Sequence, residues 1–186
     1  MNKTFLAVSL LALSGLSSVA AAADDNWFVR GELGTDRMSV SGLSGTDSDT
    51  AFSVRGGYYF NPNFALEGSY TTYGNHNDGA GDTLKTDGWG VGLVAKKDFG
   101  PNNTGFFIDG RAGFGFNKTK LSIAGVGSSN QNSTKPYFGV GAGYDFNRNF
   151  GLSVNWDYTQ YNANVFNLGN FGGHISTITG GLEARF

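Results

Sequence analysis

The sequence predicts an all-β fold, a barrel of eight antiparallel strands, from its composition, its periodicity and the spacing of its turns. The chain of 186 residues contains 30 glycines, and 15% of its residues are aromatic. Glycine inside a helix costs stability at each position, so this composition disfavours a helical protein. From Trp27 onward apolar and polar residues alternate, which is the pattern of a strand with one apolar and one polar face.

The first 23 residues have the pattern of an export signal that precedes the folded domain. Lys3 supplies a positive charge, residues 5–13 are apolar, and residues 20–23 are alanines that suit a cleavage site. The apolar run is shorter than the ~20 residues that a membrane-spanning helix needs. We therefore predict a signal peptide over residues 1–23 and an exported barrel domain over residues 24–186.

The alternating segments define the strands in order. In the first strand Trp27, Val29 and Leu33 alternate with Arg30 and Glu32. Each later segment repeats this pattern, and each ends where turn-forming residues begin. The eight predicted strands cover residues 27–34, 52–60, 64–73, 87–97, 105–117, 136–146, 150–160 and 174–186.

The connections alternate in length, which is more specific than the strands themselves. Short turns are predicted over residues 61–63, 98–104 and 147–149. Long polar loops are predicted between them, over residues 36–50, 74–86, 118–135 and 161–173. Short turns at one end and long loops at the other are typical of a transmembrane β-barrel of the outer membrane.

An internal repeat supports the strand count. The pattern of residues 52–66 recurs in residues 138–152, and residues 27–32 are echoed by residues 106–111. Strands two and three therefore match strands six and seven, and strand one matches strand five. Two similar units of four strands would close one barrel.

Alternation alone does not say which face is outside, since a soluble lipocalin-type barrel has an apolar interior and the same period. Aromatic residues gather at the two ends of the strands, as a bilayer interface selects. The predicted short-turn belt contains Trp27, Phe60, Phe64, Phe106, Phe146, Phe150 and Phe186, and the predicted loop-side belt contains Tyr70, Trp89, Phe116, Phe138, Trp156 and Tyr158.

The polar face carries charges of both signs in near-balance. A barrel of eight strands is just wide enough to be filled by side chains. Charges inside such a barrel are tolerable when they are paired and hydrogen-bonded. On a face exposed to water, near-equal numbers of positive and negative residues would be a coincidence. We predict an interior charge network of Arg30, Arg55, Lys96, Arg111 and Arg185 with Glu32, Glu67, Asp109, Asp157 and Glu183.

The last strand ends on Phe186, which resembles the terminal signal that outer-membrane assembly machinery recognises, although Ala184 stands where such signals more often place an aromatic residue. From Trp27 to Phe186 the pattern resembles the OmpA-like transmembrane barrels, in the group of small outer-membrane proteins that includes OmpX and Ail. The resemblance implies a monomeric scaffold in the outer membrane, surrounded by lipid and lipopolysaccharide. It implies roles in adhesion, envelope integrity or host interaction, with a surface ligand bound through the loops, chiefly 118–135.

Two other functions stay open. A narrow channel is the first alternative, because the interior charges could line an aqueous path. A lipid A-modifying enzyme is the second, because His174 and Ser176 resemble the His-x-Ser pair of PagL-type deacylases. A nucleophile and its base need a third group that orients the base, and Glu183 lies on the opposite parity of the strand. We therefore expect no catalytic residues.

Cofactors, metals and nucleic acid are not expected either. The chain has no cysteine and a formal net charge of −2. His76 has no neighbouring histidine, and the loop acids Asp47, Asp49, Asp78 and Asp82 lack the spacing of a calcium loop. The loop-flanking cations Arg37, Lys118 and Lys120 are too few to predict a basic cluster.

Overall fold

The computed structural model describes residues 26–40, 46–77, 83–123, 127–164 and 170–186, and they form one closed barrel. The predicted eight antiparallel strands are confirmed. They are β1 (Trp27–Val40), β2 (Thr46–Asn61), β3 (Phe64–Asn77), β4 (Thr83–Asp98), β5 (Gly105–Ile123), β6 (Gly127–Asp145), β7 (Phe150–Asn164) and β8 (Asn170–Arg185). No helix within these ranges is long and apolar enough to span a membrane.

The barrel closes between its first and last strands. Each strand pairs with the next in sequence, and β1 also pairs with β8. At the seam the backbone N–H of Trp27 donates to the carbonyl of Phe186 at 3.0 Å, and Phe186 returns a bond to Trp27 at 2.9 Å. Closure leaves no sheet edge unpaired, which is the condition for β-structure in lipid.

Two of the short turns have the same construction, in agreement with the internal repeat. The side-chain oxygen of Asn61 accepts the backbone N–H groups of Asn63 and Phe64 at 2.9 and 2.8 Å. In the same way the side-chain oxygen of Asn147 accepts those of residues 149 and 150, both at 2.8 Å. An asparagine that bonds the backbone two residues ahead stabilises a tight turn.

The predicted long loops over residues 36–50, 74–86, 118–135 and 161–173 are wrong in extent, because much of each is strand. Pairing of β1 with β2 continues to Ser39 and Thr46, and pairing of β5 with β6 continues to Ile123 and Gly127. Where both faces of a ribbon meet water, side chains lose the apolar–polar alternation while the backbone hydrogen bonds persist. Periodicity therefore marks only the part of a strand that crosses an apolar layer.

The outer wall is apolar and the inner wall is polar or small. Val29, Val54, Val91, Val140 and Val154 are all exposed on the outside, between the two groups of aromatic side chains. Inside, Phe28, Tyr59, Ala65 and Val94 form a small apolar cluster near the short-turn end, and Phe107, Tyr137 and Ile175 are further buried apolar side chains. The side chains therefore sort as they would in a barrel with lipid outside and a filled polar interior.

Candidate functional site

The polar interior of the barrel is the candidate functional site. All ten residues of the predicted charge network have inward side chains, eight of them buried and two, Asp157 and Arg185, half-buried. The structure groups them into two layers, one nearer the loop end and one nearer the short-turn end.

The loop-side layer is organised around Arg55. Its guanidinium donates to Glu32 at 2.9 Å, to Glu67 at 2.8 Å and to Asp157 at 3.1 Å. Arg111 bridges two of the same carboxylates, since it donates to Asp157 at 2.7 and 3.0 Å and to Glu32 at 3.1 Å. Two arginines therefore share two carboxylates, and the pairs span the lumen from β1 and β2 to β5 and β7.

The short-turn layer is a chain of pairs across the seam. Arg30 donates to Glu183 at 2.8 Å, and Glu183 accepts a second bond from Arg185 at 2.6 Å. Arg185 also donates to the two carboxylate oxygens of Asp145 at 2.9 and 3.0 Å, and Asp145 accepts a further bond from Lys96. Lys96 Nζ lies 3.8 Å from the ring centre of Phe107, a cation–π contact that adds to its pairing.

The two layers meet at Arg30, and the contact between them is loose. Arg30 Nη1 lies 3.7 Å from an oxygen of Asp109 and 3.9 Å from one of Glu32, beyond hydrogen-bond distance. Arg30 Nη1, both oxygens of Asp109 and the side-chain oxygen of Asn155 are buried without a hydrogen-bond partner in the protein.

Three members of the network were missed by the sequence analysis. Asp145 binds Lys96 and Arg185, Asp98 lies 3.5 Å from Lys96, and Asn155 donates to Glu32 at 3.2 Å. Asp145 follows the inward parity of β6, so the period of two could have found it; it was overlooked because it stands beside a turn. Among the residues that the structure describes, the ion pairs that include Asp98 and Asp145 join five cations to seven carboxylates, two more than the near-balance that the sequence predicts.

Glycines on the inner wall make room for the buried charges. A β-carbon at Gly139 would collide with Asp157 and Arg111, and one at Gly141 would collide with Asp109 and Asn155. These positions explain part of the high glycine content. Gly139 is the register partner of both Arg111 on β5 and Asp157 on β7, so these two side chains meet over β6 because it carries no side chain there.

The His-x-Ser fragment lies on the outer wall at the loop end, outside the network. The His174 ring stacks on Tyr158 with centres 5.5 Å apart, and the Ser176 hydroxyl accepts a bond from the indole of Trp156 at 2.7 Å. Each of the two residues thus has its own aromatic partner. No trio of His, Asp and Glu side chains among the described residues could hold a metal ion.

Several loop residues named above cannot be placed. The side chains of His76 and Asp47, and residues Asp78 and Asp82, lie outside the part of the chain that the structure describes. Asp49 is described, and its backbone N–H donates to the carboxylate of Asp36 at 3.2 Å.

Comparison with known proteins gives one family match. The family described as outer membrane protein beta-barrel domain matches residues 8–186. A protein of Haemophilus influenzae without an assigned function is 26% identical over 174 residues, which are 86% of this chain and 93% of that protein.

Two solved structures share the fold at low identity. Neisserial surface protein A superposes with a TM-score of 0.71 at 17% identity, over 89% of this chain and 99% of that structure. Ail, the attachment invasion locus protein of Yersinia pestis, superposes with a TM-score of 0.59 at 19% identity, over 87% of this chain and 99% of that structure. A second Ail structure contains the heparin analogue sucrose octasulfate.

Proposed function

This chain belongs to the outer membrane protein β-barrel domain family, and we propose that it is a rigid surface scaffold that binds a ligand through its loop-side hairpins. The observation that carries the proposal is the β5–β6 hairpin, in which two strands of 19 residues pair without a register shift up to Ile123 and Gly127. Beyond Phe116 the ribbon continues for seven residues, roughly 24 Å at the rise of a strand. Such a ribbon projects beyond the apolar wall and holds Ile123 and Gly127 in register.

The interior supports a scaffold more than a wide pore. Arg55 of β2 reaches across the lumen to Asp157 of β7, and Arg111 of β5 reaches across it to Glu32 of β1; a barrel of eight strands leaves little space around such side chains. Cross-lumen pairs also tie distant strands together. A stiff barrel suits the presentation of hairpins, because function on a rigid scaffold resides in its exposed segments.

The proposal includes export and assembly. Residues 1–23 act as a signal peptide that is removed on export, and Phe186 is read by the outer-membrane assembly machinery. N-terminal sequencing of the protein from outer-membrane fractions tests the first part: the expected mature chain starts at residue 24, and a chain that retains residues 1–23 contradicts it.

Trimming the β5–β6 hairpin tests the scaffold proposal. Residues 121–129 are replaced by Asn-Gly, which closes a two-residue hairpin on the Lys120–Asn130 pair. The barrel should still shift in gel mobility on boiling, while adhesion of expressing bacteria to host cells, or their resistance to detergent, falls. A companion variant trims a second loop-side hairpin, with residues 78–82 replaced by Asn-Gly between Asn77 and Thr83, and a smaller loss there would assign the binding chiefly to the β5–β6 hairpin. Unchanged adhesion and detergent resistance in both trimmed proteins would contradict the proposal.

A narrow cation channel is the second candidate, and the carboxylate excess of the network favours it. The unpartnered oxygens of Asp109 lie between the two charge layers, where a hydrated path would have to pass. Conductance measurements in planar bilayers test this candidate. A channel would give small cation-selective currents, and Asp109→Asn should reduce the selectivity for cations. Absence of current across membranes that contain the folded protein would exclude the channel.

The enzyme alternative is not favoured, because His174 and Ser176 each contact an aromatic side chain instead of forming a relay. Expression of the intact protein should leave the mass of lipid A unchanged. A mass change that disappears in Ser176→Ala would overturn this assignment.

A further inference from the structure

A patch on the outer wall at the loop end consists of aromatic rings on β6, β7 and β8 and an arginine on β1. Phe138 of β6, Trp156 and Tyr158 of β7 and His174 of β8 form a ladder of rings whose centres lie 5.0 to 6.2 Å apart. The bond from Trp156 to Ser176 holds the indole in place. We call these rings the aromatic ladder.

A cation stands at the end of the ladder. Arg37 of β1 is the register partner of Ser176 of β8, and it is exposed on the same outer wall. Directly opposed residues place their β-carbons about 5 Å apart, so the guanidinium reaches the space in front of His174 and Ser176. No carboxylate lies on the outer face of β1, β6, β7 and β8 within the residues that the structure describes, so the patch favours an anion.

A shallow apolar groove lies lower on the same wall, separated from the patch by the exposed side chain of Ile178. Gly180 pairs with Leu33 on one side and with Val154 on the other, and both neighbours are exposed apolar side chains. A β-carbon at Gly180 would meet only the Leu33 carbonyl oxygen at 4.0 Å, and one at Gly31 would meet nothing within 4 Å. The groove lies roughly 13 Å below Ser176 along the strand, at the depth of acyl chains.

We propose that this patch and groove form a binding site for a phosphorylated glycolipid of the outer leaflet. Arg37 binds the phosphate, the aromatic ladder stacks against the sugar, and an acyl chain lies over Gly180 between Leu33 and Val154. A soluble glycan would use the first two features and leave the groove unused. Arg37, Ser176 and Tyr158 lie in one register row and Gly180 lies four residues deeper on β8, as a glycolipid places its phosphorylated sugar at the interface and its chain below.

The site goes beyond the surface scaffold, and the hairpin residues whose removal tests the scaffold do not contribute to it. It also gives the His174 and Ser176 pair a role that needs no nucleophile. His174 extends the stack from Tyr158, and Ser176 fixes Trp156. Both are positioning residues for a lipid headgroup.

Lipid retention by the purified barrel tests the site. The protein is folded in detergent and titrated with bisphosphorylated lipopolysaccharide, with the same lipid after phosphatase treatment, and with phosphatidylethanolamine, and bound lipid is counted by native mass spectrometry. The phosphorylated glycolipid should bind most tightly, with an affinity at least tenfold above that of phosphatidylethanolamine. Equal retention of the two lipids would overturn the proposal.

Variants separate the three features. Arg37→Gln should remove the preference for the phosphorylated over the dephosphorylated glycolipid, and Tyr158→Leu should weaken both. Gly180→Leu fills the groove without a backbone clash and should lower retention about tenfold. Phe146→Leu and Lys97→Gln, exposed at the short-turn end of the barrel, are the controls and should behave as wild type.

Two results contradict the assignment. One is retention in Arg37→Gln and Gly180→Leu equal to that of the wild type. The other is binding of soluble sucrose octasulfate as tight as that of the glycolipid and unaffected by Gly180→Leu, which would make the patch a site for soluble polyanions.

Discussion

Phe28 of β1 lies directly opposite Gly57 of β2, and its ring occupies the space where a side chain of residue 57 would stand. The second half of the chain repeats this arrangement, with Phe107 of β5 against Gly143 of β6. The repeat seen in the sequence therefore has a packing counterpart. In each half an inward aromatic ring needs a glycine across the strand pair, since the lumen is too narrow for two side chains at that level.

Replacement of Gly57 by alanine tests this packing. The added β-carbon would collide with the Leu66 carbonyl and come within 2.6 and 2.8 Å of the Phe28 ring. Overpacking of a close-packed interior costs about 1–3 kcal/mol, so Gly57→Ala should unfold at lower urea concentration. Gly56→Ala is the control, because a β-carbon there meets only one carbonyl oxygen at 3.5 Å. Equal midpoints for the two variants would show that both the Phe28 ring and the Leu66 carbonyl can move aside without loss of stability.

Removal of Arg55 tests the charge network. Arg55→Met leaves Glu32, Glu67 and Asp157 without the cation that all three contact, while it keeps most of the side-chain volume. Loss of one partner from a buried ion pair costs about 3–5 kcal/mol. The free energy of unfolding in detergent, measured by tryptophan fluorescence, should therefore fall by about 3–5 kcal/mol. Arg148→Met removes an exposed arginine in the turn before β7 and should leave stability unchanged.

Arginine at the middle of the outer wall tests which face meets lipid. Val154 is 61% exposed and lies on the apolar wall, so Val154→Arg should destabilise the barrel in a bilayer by about 2–4 kcal/mol. Gln160→Arg, on the same face of β7 but six residues nearer the loop end, should cost much less because the cost falls near the interface. The comparison uses folding in vesicles under urea titration. A harmless Val154→Arg would place that face in water.

The eight strands and their inward and outward faces could be predicted because an apolar layer outside and a polar lumen inside impose a period of two on every strand. The ten inward charges follow from the same parity. The pairs that they form could not be predicted: Arg55 contacts carboxylates from β1, β3 and β7, and only the register and closure of the barrel bring those strands to one level.

Two differences between the predicted and the observed structure lie near the ends of the strands. The loops are shorter than predicted because the membrane does not sort side chains beyond the apolar wall, whereas Asp145 keeps the inward parity of β6 and was overlooked beside a turn. Near the ends of the strands the backbone still pairs, as at Ser39 and Thr46, but composition no longer reports it. The outer site around Arg37 was missed for another reason: Arg37 and Ser176 are far apart in the sequence and meet only at the seam between β1 and β8.

The terminal residue allows folding and assembly to be separated. Phe186 contributes its backbone to the seam through the two bonds with Trp27, and any residue at that position could make them. If its side chain is an assembly signal, Phe186→Ala should refold in detergent with the yield of the wild type and accumulate several-fold less in the outer membrane of cells. Phe150→Ala, a neighbouring exposed aromatic at the same end of the barrel, should show no such difference between refolding and accumulation. A parallel fall of both quantities in Phe186→Ala would assign the ring a structural role at the seam, because a signal read by assembly machinery has no effect on folding in its absence.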